Sequence, residues 1–358
     1  MNNNSILCSP RETFFLILVL MTNRIFTNFP IIHNRVSGTG ASLSAAISVV
    51  IALLLIYFIA AKFFVSGNEN IISKTERIFG KVGKFILSLG LVAYLFISSF
   101  YQLTEITDFA RLTAFPTAPF SFIAGFFAVA AAIGALSGAK ALFRTSGYIV
   151  IAFGASLLIL LSSALFQSDF TNLFPILGTG YVNVFKSGFA GTTMFSDIIL
   201  LFVLKPSFTT VKSARRTLLT ASAVALSFAF LLSLAYTAKI PYPVSSEEHF
   251  PTFLLLKEAY FGRFFQRTDA MFLFSSSIFG MFSLSLNIFL ISRIFKQTFG
   301  IKQRYKTIIP TVIILYCIAI TSFRFSVPFM IYSGAIAALV FLFAILPYRK
   351  EKITSNES

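Results

Sequence analysis

Two ionisable residues lie in the middle of long apolar stretches, where an unpaired charge costs at least a few kcal/mol. Arg24 sits within Met21-Thr22-Asn23-Arg24 and is followed by Asn28 and Pro30. Asp197 follows the run Gly188-Phe189-Ala190-Gly191-Thr192-Thr193. A guanidinium and a carboxylate at membrane depth are suited to recognising small charged groups. Arg24 would favour a carboxylate, and Asp197 would hold an ammonium group or neutralise Arg24. The residues around each charge weaken a helix. Pro30 withholds a backbone donor; glycine lowers helix propensity, and threonine hydroxyls can take up freed carbonyls. The sequence therefore predicts interrupted helices at both places, with Thr22, Asn23, Arg24, Gly191, Thr192, Thr193 and Asp197 lining a ligand site. Simpler readings stand beside this one: Arg24 snorkels or makes a static pair, and Asp197 is a structural acceptor in close small-residue packing.

Two polar stripes point to the same place. Tyr94, Ser98, Tyr101, Glu105 and Asp108 recur at three- or four-residue steps, and so do Ser276, Gly280, Ser283 and Asn287, with Asp269 upstream. Tyr94, Ser98, Tyr101, Ser276 and Ser283 join the candidate ligand-binding residues. Glu105 and Asp108 are expected near the outer surface, where solvation explains them. His33 and His249 are also expected at that surface, far apart in sequence, and no metal site is expected from them. Gly134 and Gly138 form a GxxxG that signals close helix packing. Cys8 and Cys317 offer neither a disulfide framework nor a metal cluster. No nucleophile–base–orienter set and no phosphate loop accompanies these residues, so the expectation is a protein without catalytic residues or cofactor.

The elements that must position these side chains are membrane helices. Of 358 residues, 56% are apolar and only 12% charged, with 46 Phe and no Trp. A soluble domain carries about 25% charged residues, so a water-soluble enzyme is excluded. Windows of about 20 apolar residues give ten spans: about 11–33, 41–62, 85–106, 118–139, 145–166, 185–205, 214–237, 269–293, 305–325 and 328–347. The first has no small-residue cleavage site and reads as a retained helix. Residues 70–84 and 250–265 read as interfacial segments.

With the N-terminus inside, 20 of the 29 Lys and Arg fall on the cytoplasmic face, eight fall outside, and Arg24 stays in the membrane. That bias places both termini in the cytoplasm and requires an even number of spans. Counting acids leaves +15 inside and +1 outside, a charge suited to anionic lipid rather than nucleic acid. The charges of spans one and six occupy corresponding places in two five-helix halves, about 11–166 and 185–347. Paired broken helices of this kind point to an inverted-repeat transporter fold in one integral-membrane domain, with its site near the midplane.

Several segments resemble the spore germination permeases, the B subunits of Ger-type nutrient germinant receptors. Asn172-Leu-Phe-Pro-Ile-Leu-Gly-Thr-Gly180 is similar to that family's N-L-x-P-x-x-G-x-G segment. Phe250-Pro-Thr-Phe-Leu-Leu-Leu-Lys257 and Gly262-Arg-Phe-Phe-Gln-Arg-Thr-Asp-Ala270 resemble its (Y/F)P start and closing RxDa-like run. The passages Arg111 to Pro119 and Gly138 to Arg144 also fit. The family commonly has glycine-rich sequence where Thr22-Asn23-Arg24 stands, and Glu at the place of Asp197.

The resemblance implies an all-α, LeuT-like fold of the amino acid–polyamine–organocation type, in the inner membrane of an endospore or a plasma membrane. It implies a subunit that binds a small nutrient, often an amino acid, and acts with an A-type and a lipoprotein C-type subunit. A proton- or sodium-coupled amino-acid transporter of the same fold is the alternative, with Asp197 as the coupling acid. A conduit for ions or small acids is a third reading.

Overall fold

The computed structural model describes residues 9–63, 70–204, 211–257, 268–301, 303–321 and 334–336. Twelve α-helices occur among the described residues: α1 Pro10–Ser37, α2 Ala41–Phe63, α3 Ile71–Thr113, α4 Phe120–Ser137, α5 Ala139–Phe166, α6 Tyr181–Thr192, α7 Leu200–Leu204, α8 Val211–Lys239, α9 Val244–Glu247, α10 Pro251–Lys257, α11 Thr268–Phe299 and α12 Tyr305–Ile320. Among the described residues, seven helical stretches are long and apolar enough to cross a membrane, with α12 a shorter apolar helix. The protein is a multi-pass integral membrane protein. The expected tenth span, 328–347, lies outside the described residues except for 334–336.

Local chemistry sets the helix ends. Ser9 and Glu12 form a capping box at the start of α1, with Pro10 in the first turn, where no donor is needed. Asn70 caps α3 by accepting from the Ile72 N–H. Gly138, at φ 87°, ends α4 and starts α5 without a loop. Residues 70–84, expected as a separate interfacial helix, run into α3 through a kink at Gly80, whose φ of 69° suits glycine. Ile71, Ile72 and Thr75 bury one face, while Ile78, Phe79 and Val82 are exposed. Of the second expected interfacial stretch, α10 is a short helix, and residues 258–265 lie outside the described residues.

The first helix departs from expectation. It is one continuous α-helix through Thr22-Asn23-Arg24, and Pro30 lies inside it. Polar residues of this kind differ from Ala by only a few tenths of a kcal/mol in helix propensity, so they do not force unwinding once their side chains are satisfied laterally. Pro30 deletes one backbone bond, and the Asn34 side chain donates to the Pro30 carbonyl at 2.9 Å. The sixth span is interrupted as expected, by tighter winding rather than by a gap. α6 passes into a 3₁₀ segment, Thr193–Ile199, before α7. Thr192 donates to the Gly188 carbonyl at 3.1 Å and Thr193 to the Ala190 carbonyl at 2.7 Å, so both hydroxyls take up carbonyls where the winding changes.

The largest helix contacts are α3 along α11, α1 along α8, and α2 against both α8 and α6. Small residues set the close approaches: a Cβ on Gly134 would meet Ser285 of α11 within 3 Å, and one on Gly280 would overlap Ile106 of α3. The segment before α6 clasps the α1–α2 turn. Thr179 donates to the Val36 carbonyl at 2.7 Å, Thr39 to the Pro175 carbonyl at 2.7 Å, and Asn172 to the Ala238 carbonyl at 2.9 Å.

Candidate functional site

The fold brings Arg24 of α1 and Asp197 of the 3₁₀ segment into direct contact. The Arg24 Nη2 donates to Asp197 Oδ1 at 2.8 Å, and its Nε pairs with Oδ2. Arg24 is 8% exposed and Asp197 3%. Two-point contact suits the planar guanidinium, which presents a fixed fork of donors.

Helix α3 supplies the next ring of partners. The Tyr94 hydroxyl donates to Asp197 Oδ1 at 2.6 Å and lies 2.9 Å from the Ser196 hydroxyl. Arg24 Nη2 also donates to Ser98 Oγ at 2.8 Å, and the guanidinium carbon lies 5.9 Å from the Tyr94 ring centroid. From α11, Asn287 Nδ2 donates to Ser98 Oγ at 3.2 Å. Asn287 Oδ1 is buried with no hydrogen-bond partner among the described residues. Four elements therefore converge on one charge pair: α1, α3, the 3₁₀ segment and α11. A desolvated ion pair is stable only when its remaining donors and acceptors are met; Ser98 accepts from Arg24 and Tyr94 donates to Asp197, with Ser196 bonded to the Tyr94 hydroxyl.

One turn along α1, Asn28 Nδ2 donates to the Tyr101 hydroxyl at 2.7 Å and to Glu105 Oε1 at 2.8 Å. Tyr101 belongs to a second polar layer, one turn further along α1 and α3. Glu105 is half-buried and bonded across to α1, so its environment is a helix interface as well as solvent.

The remaining candidates fall elsewhere. Gly191 packs against His33 and Ser48; Thr192 donates to the Gly188 carbonyl and, at 3.4 Å, to the Ser48 carbonyl of α2, and Thr193 donates to the Ala190 carbonyl. Ser276 donates to the Leu273 carbonyl of its own helix at 3.1 Å, and Ser283 is buried in α11. Thr22 is half-buried in α1, and the side chains of Asn23 and Asp269 lie outside the described residues.

Sequence reasoning missed Ser196, Asn287 as a direct neighbour of Ser98, and above all His33. The histidine is not at the outer surface. It is 0% exposed, with Nδ1 2.7 Å from the Ser44 hydroxyl and its ring on the edge of Phe29. Ser44 and Ser37 both bond Ser187, and Ser48 donates to the Gly188 carbonyl at 2.6 Å. This polar seam joins α1, α2 and α6 where α6 approaches its change of winding. A partial signal was available: Ser44 and Ser48 are four residues apart and so share one helix face.

Comparison with known proteins agrees with this architecture. Residues 7–326 match the family described as "Spore germination protein". The spore germination protein GerQB of Bacillus cereus is 25% identical over 315 residues, covering 86% of this chain and 84% of that protein. Among solved structures, MhsT in complex with L-phenylalanine is similar at a TM-score of 0.66 and 14% identity, covering 92% of this chain and 87% of that one. Mhp1, a nucleobase-cation-symport-1 family transporter, is similar at 0.62 and 13% identity, covering 95% and 80%. A Na⁺-coupled sialic acid symporter is similar at 0.62 and 14%, covering 94% and 78%. At these identities the likeness is one of fold: an all-helical, LeuT-like transporter architecture.

Proposed function

This chain belongs to the spore germination protein family, and on that footing we propose that it is the B-type membrane subunit of a germinant receptor. In this reading it binds a small nutrient, an amino acid, and the bound state triggers germination without catalysis. The observation that carries the proposal is the buried Arg24–Asp197 pair at the 3₁₀ segment of the sixth span, ringed by Tyr94, Ser98 and Asn287.

The pair is a neutral, self-satisfied unit, and a zwitterion can exchange with it. The ligand carboxylate takes the donors of Arg24, and the ligand ammonium takes Asp197 and the unpartnered Asn287 Oδ1. Such an exchange leaves each buried charge with an opposite partner while separating α1 from the 3₁₀ segment. A ligand shifts a two-state protein only through different affinity for its states. Here the difference is whether Arg24 and Asp197 bind each other or the ligand. Because helix α1 is continuous, the 3₁₀ segment is the element suited to change its winding.

In this reading the chain is one domain of two repeats with both termini cytoplasmic, in the spore inner membrane or a plasma membrane. It partners A-type and lipoprotein C-type subunits and meets anionic lipid at its basic face. The test is equilibrium binding of L-amino acids to the purified full chain and to Arg24→Ala and Asp197→Asn. A loss of about tenfold or more in both variants is expected; unchanged affinity in both overturns the site. The transporter reading draws on Mhp1, a nucleobase-cation-symport-1 family transporter, and on the Na⁺-coupled sialic acid symporter, which share the fold. It predicts counterflow of the same ligand in proteoliposomes, driven by an imposed pH or Na⁺ gradient, whereas a sensor binds without flux.

A further inference from the structure

The connection between α5 and α6 is built inside out, with its polar groups turned toward its own chain. Thr171 bonds Asp169 Oδ1 through both its N–H and its hydroxyl, Asn172 donates to the Ala238 carbonyl, and Thr179 donates to the Val36 carbonyl. The Asn183 side chain donates to the Thr179 hydroxyl at 3.2 Å. Backbone N–H groups follow the same rule. Those of Asn172, Phe174, Gly178 and Gly180 bond within the connection, and that of Thr179 bonds the Ser37 carbonyl. What remains outside is apolar. Phe170, Phe174, Ile176, Leu177 and Tyr181 are exposed, Phe174 by 66%, and no charged residue lies between Asp169 and Lys186. A loop bathed in water presents its polar groups outward, whereas one set against an apolar phase must satisfy them within the chain.

The same surface continues onto helices that cross the membrane. Phe166, the last residue of α5, is exposed. Phe185 and Phe189 follow Tyr181 at four-residue steps on α6, and both are exposed on a stretch long and apolar enough to span a bilayer. We propose that this connection and the first turns of α6 are seated in the headgroup layer of the membrane, with phospholipid as the occupant. Lys186 favours lipid over a protein partner. It is exposed on the face of α6 that carries Val182 and Phe189. The core of a protein interface is depleted of charge. A lysine on an apolar helix face near the membrane surface instead extends its ammonium to a lipid phosphate, and Tyr181 is a residue type enriched at that level. The connection also clasps the α1–α2 turn and leads into the helix that ends at the 3₁₀ segment, so the lipid seat and the Arg24–Asp197 pair share one element.

The experiment uses the full chain, with Cys8 and Cys317 replaced by Ser, in phosphatidylcholine nanodiscs. A thiol-linked fluorophore is placed in turn at Phe174→Cys, Leu177→Cys and Glu247→Cys, the last an exposed position of α9 outside the patch. Lipid spin-labelled near the head of its acyl chain is expected to quench most of the emission at the first two positions and little at the third. Aqueous iodide is expected to give the reverse order. Iodide quenching at Phe174→Cys and Leu177→Cys as strong as at Glu247→Cys overturns the proposal, because the connection then faces water. Protection from both quenchers overturns it too, because another copy of the chain then covers the patch. With the fluorophore at Val182→Cys, spin-labelled phosphatidylglycerol should reach half-maximal quenching at about fivefold lower mole fraction than spin-labelled phosphatidylcholine, the attraction of one lysine for anionic lipid. Lys186→Gln should abolish that preference. Equal quenching by the two lipids, unmoved by Lys186→Gln, overturns the phosphate contact.

Discussion

Replacing Asp197 by Asn removes one charge while keeping the shape of the side chain, and its consequence can be worked from the contacts. Asp197 accepts from Arg24 through both oxygens and from the Tyr94 hydroxyl. An amide keeps one acceptor but no charge, which leaves a guanidinium at 8% exposure without its counter-ion. Removing one partner of a buried pair costs about 3–5 kcal/mol. With an unfolding entropy of about 2.1 cal/mol/K per residue over 358 residues, that corresponds to a fall in Tm of about 4–7 °C. The assay is thermal unfolding of the purified protein, read as surviving monomer by size-exclusion chromatography. The decisive comparison is the double variant Arg24→Met/Asp197→Leu. It removes both charges together, and an apolar replacement of a buried pair is close to neutral, so it should melt above either single variant. An Asp197→Asn protein that melts within about 1 °C of wild type would refute the reasoning. So would a double variant whose loss equals the sum of the single losses, because the two groups would then be independent.

Four further outcomes are expected. At Gly178, φ is +48° and a Cβ would overlap the Ser37 carbonyl oxygen, so Gly178→Ala should lower stability by about 1–3 kcal/mol in the same melting assay. Gly90→Ala, in a helix with nothing within 4 Å, should be neutral or slightly stabilising. At Gly191, valine would drive into the His33 ring and the Ser48 hydroxyl, and Gly191→Val should weaken both the fold and amino-acid binding, read by melting and by the binding assay. In a background with Cys8 and Cys317 replaced by Ser, an impermeant maleimide should label Thr117→Cys and not Lys140→Cys in intact cells. Those residues lie at opposite ends of α4, and the reverse pattern would invert the orientation inferred from the Lys and Arg bias.

The long apolar helices among the described residues could be read from composition and hydropathy, because a spanning helix in lipid must satisfy its backbone internally and so announces itself as a long apolar run. The same constraint makes a buried charge rare, which is why Arg24 and Asp197 stood out in a chain of 29 cations and 13 anions. The periodicity of Tyr94, Ser98 and Tyr101 was equally legible, since a three-to-four-residue step defines a helix face. What periodicity cannot say is which face meets which. That Arg24 reaches Asp197, 173 positions away, and that Ser98 joins it to Asn287 are outcomes of helix packing.

The sequence by itself determined that this chain lives in a bilayer, where its helices run, and which two charges require an explanation. Only the tertiary structure decided that the first helix stays whole while the sixth changes its winding: the polar side chains of Arg24 and Asn28 find their partners on neighbouring elements rather than in their own backbone. Only the packed structure, likewise, moved His33 from the expected surface into a sealed seam. Burial is a property of what packs around a residue, and no local pattern contains it.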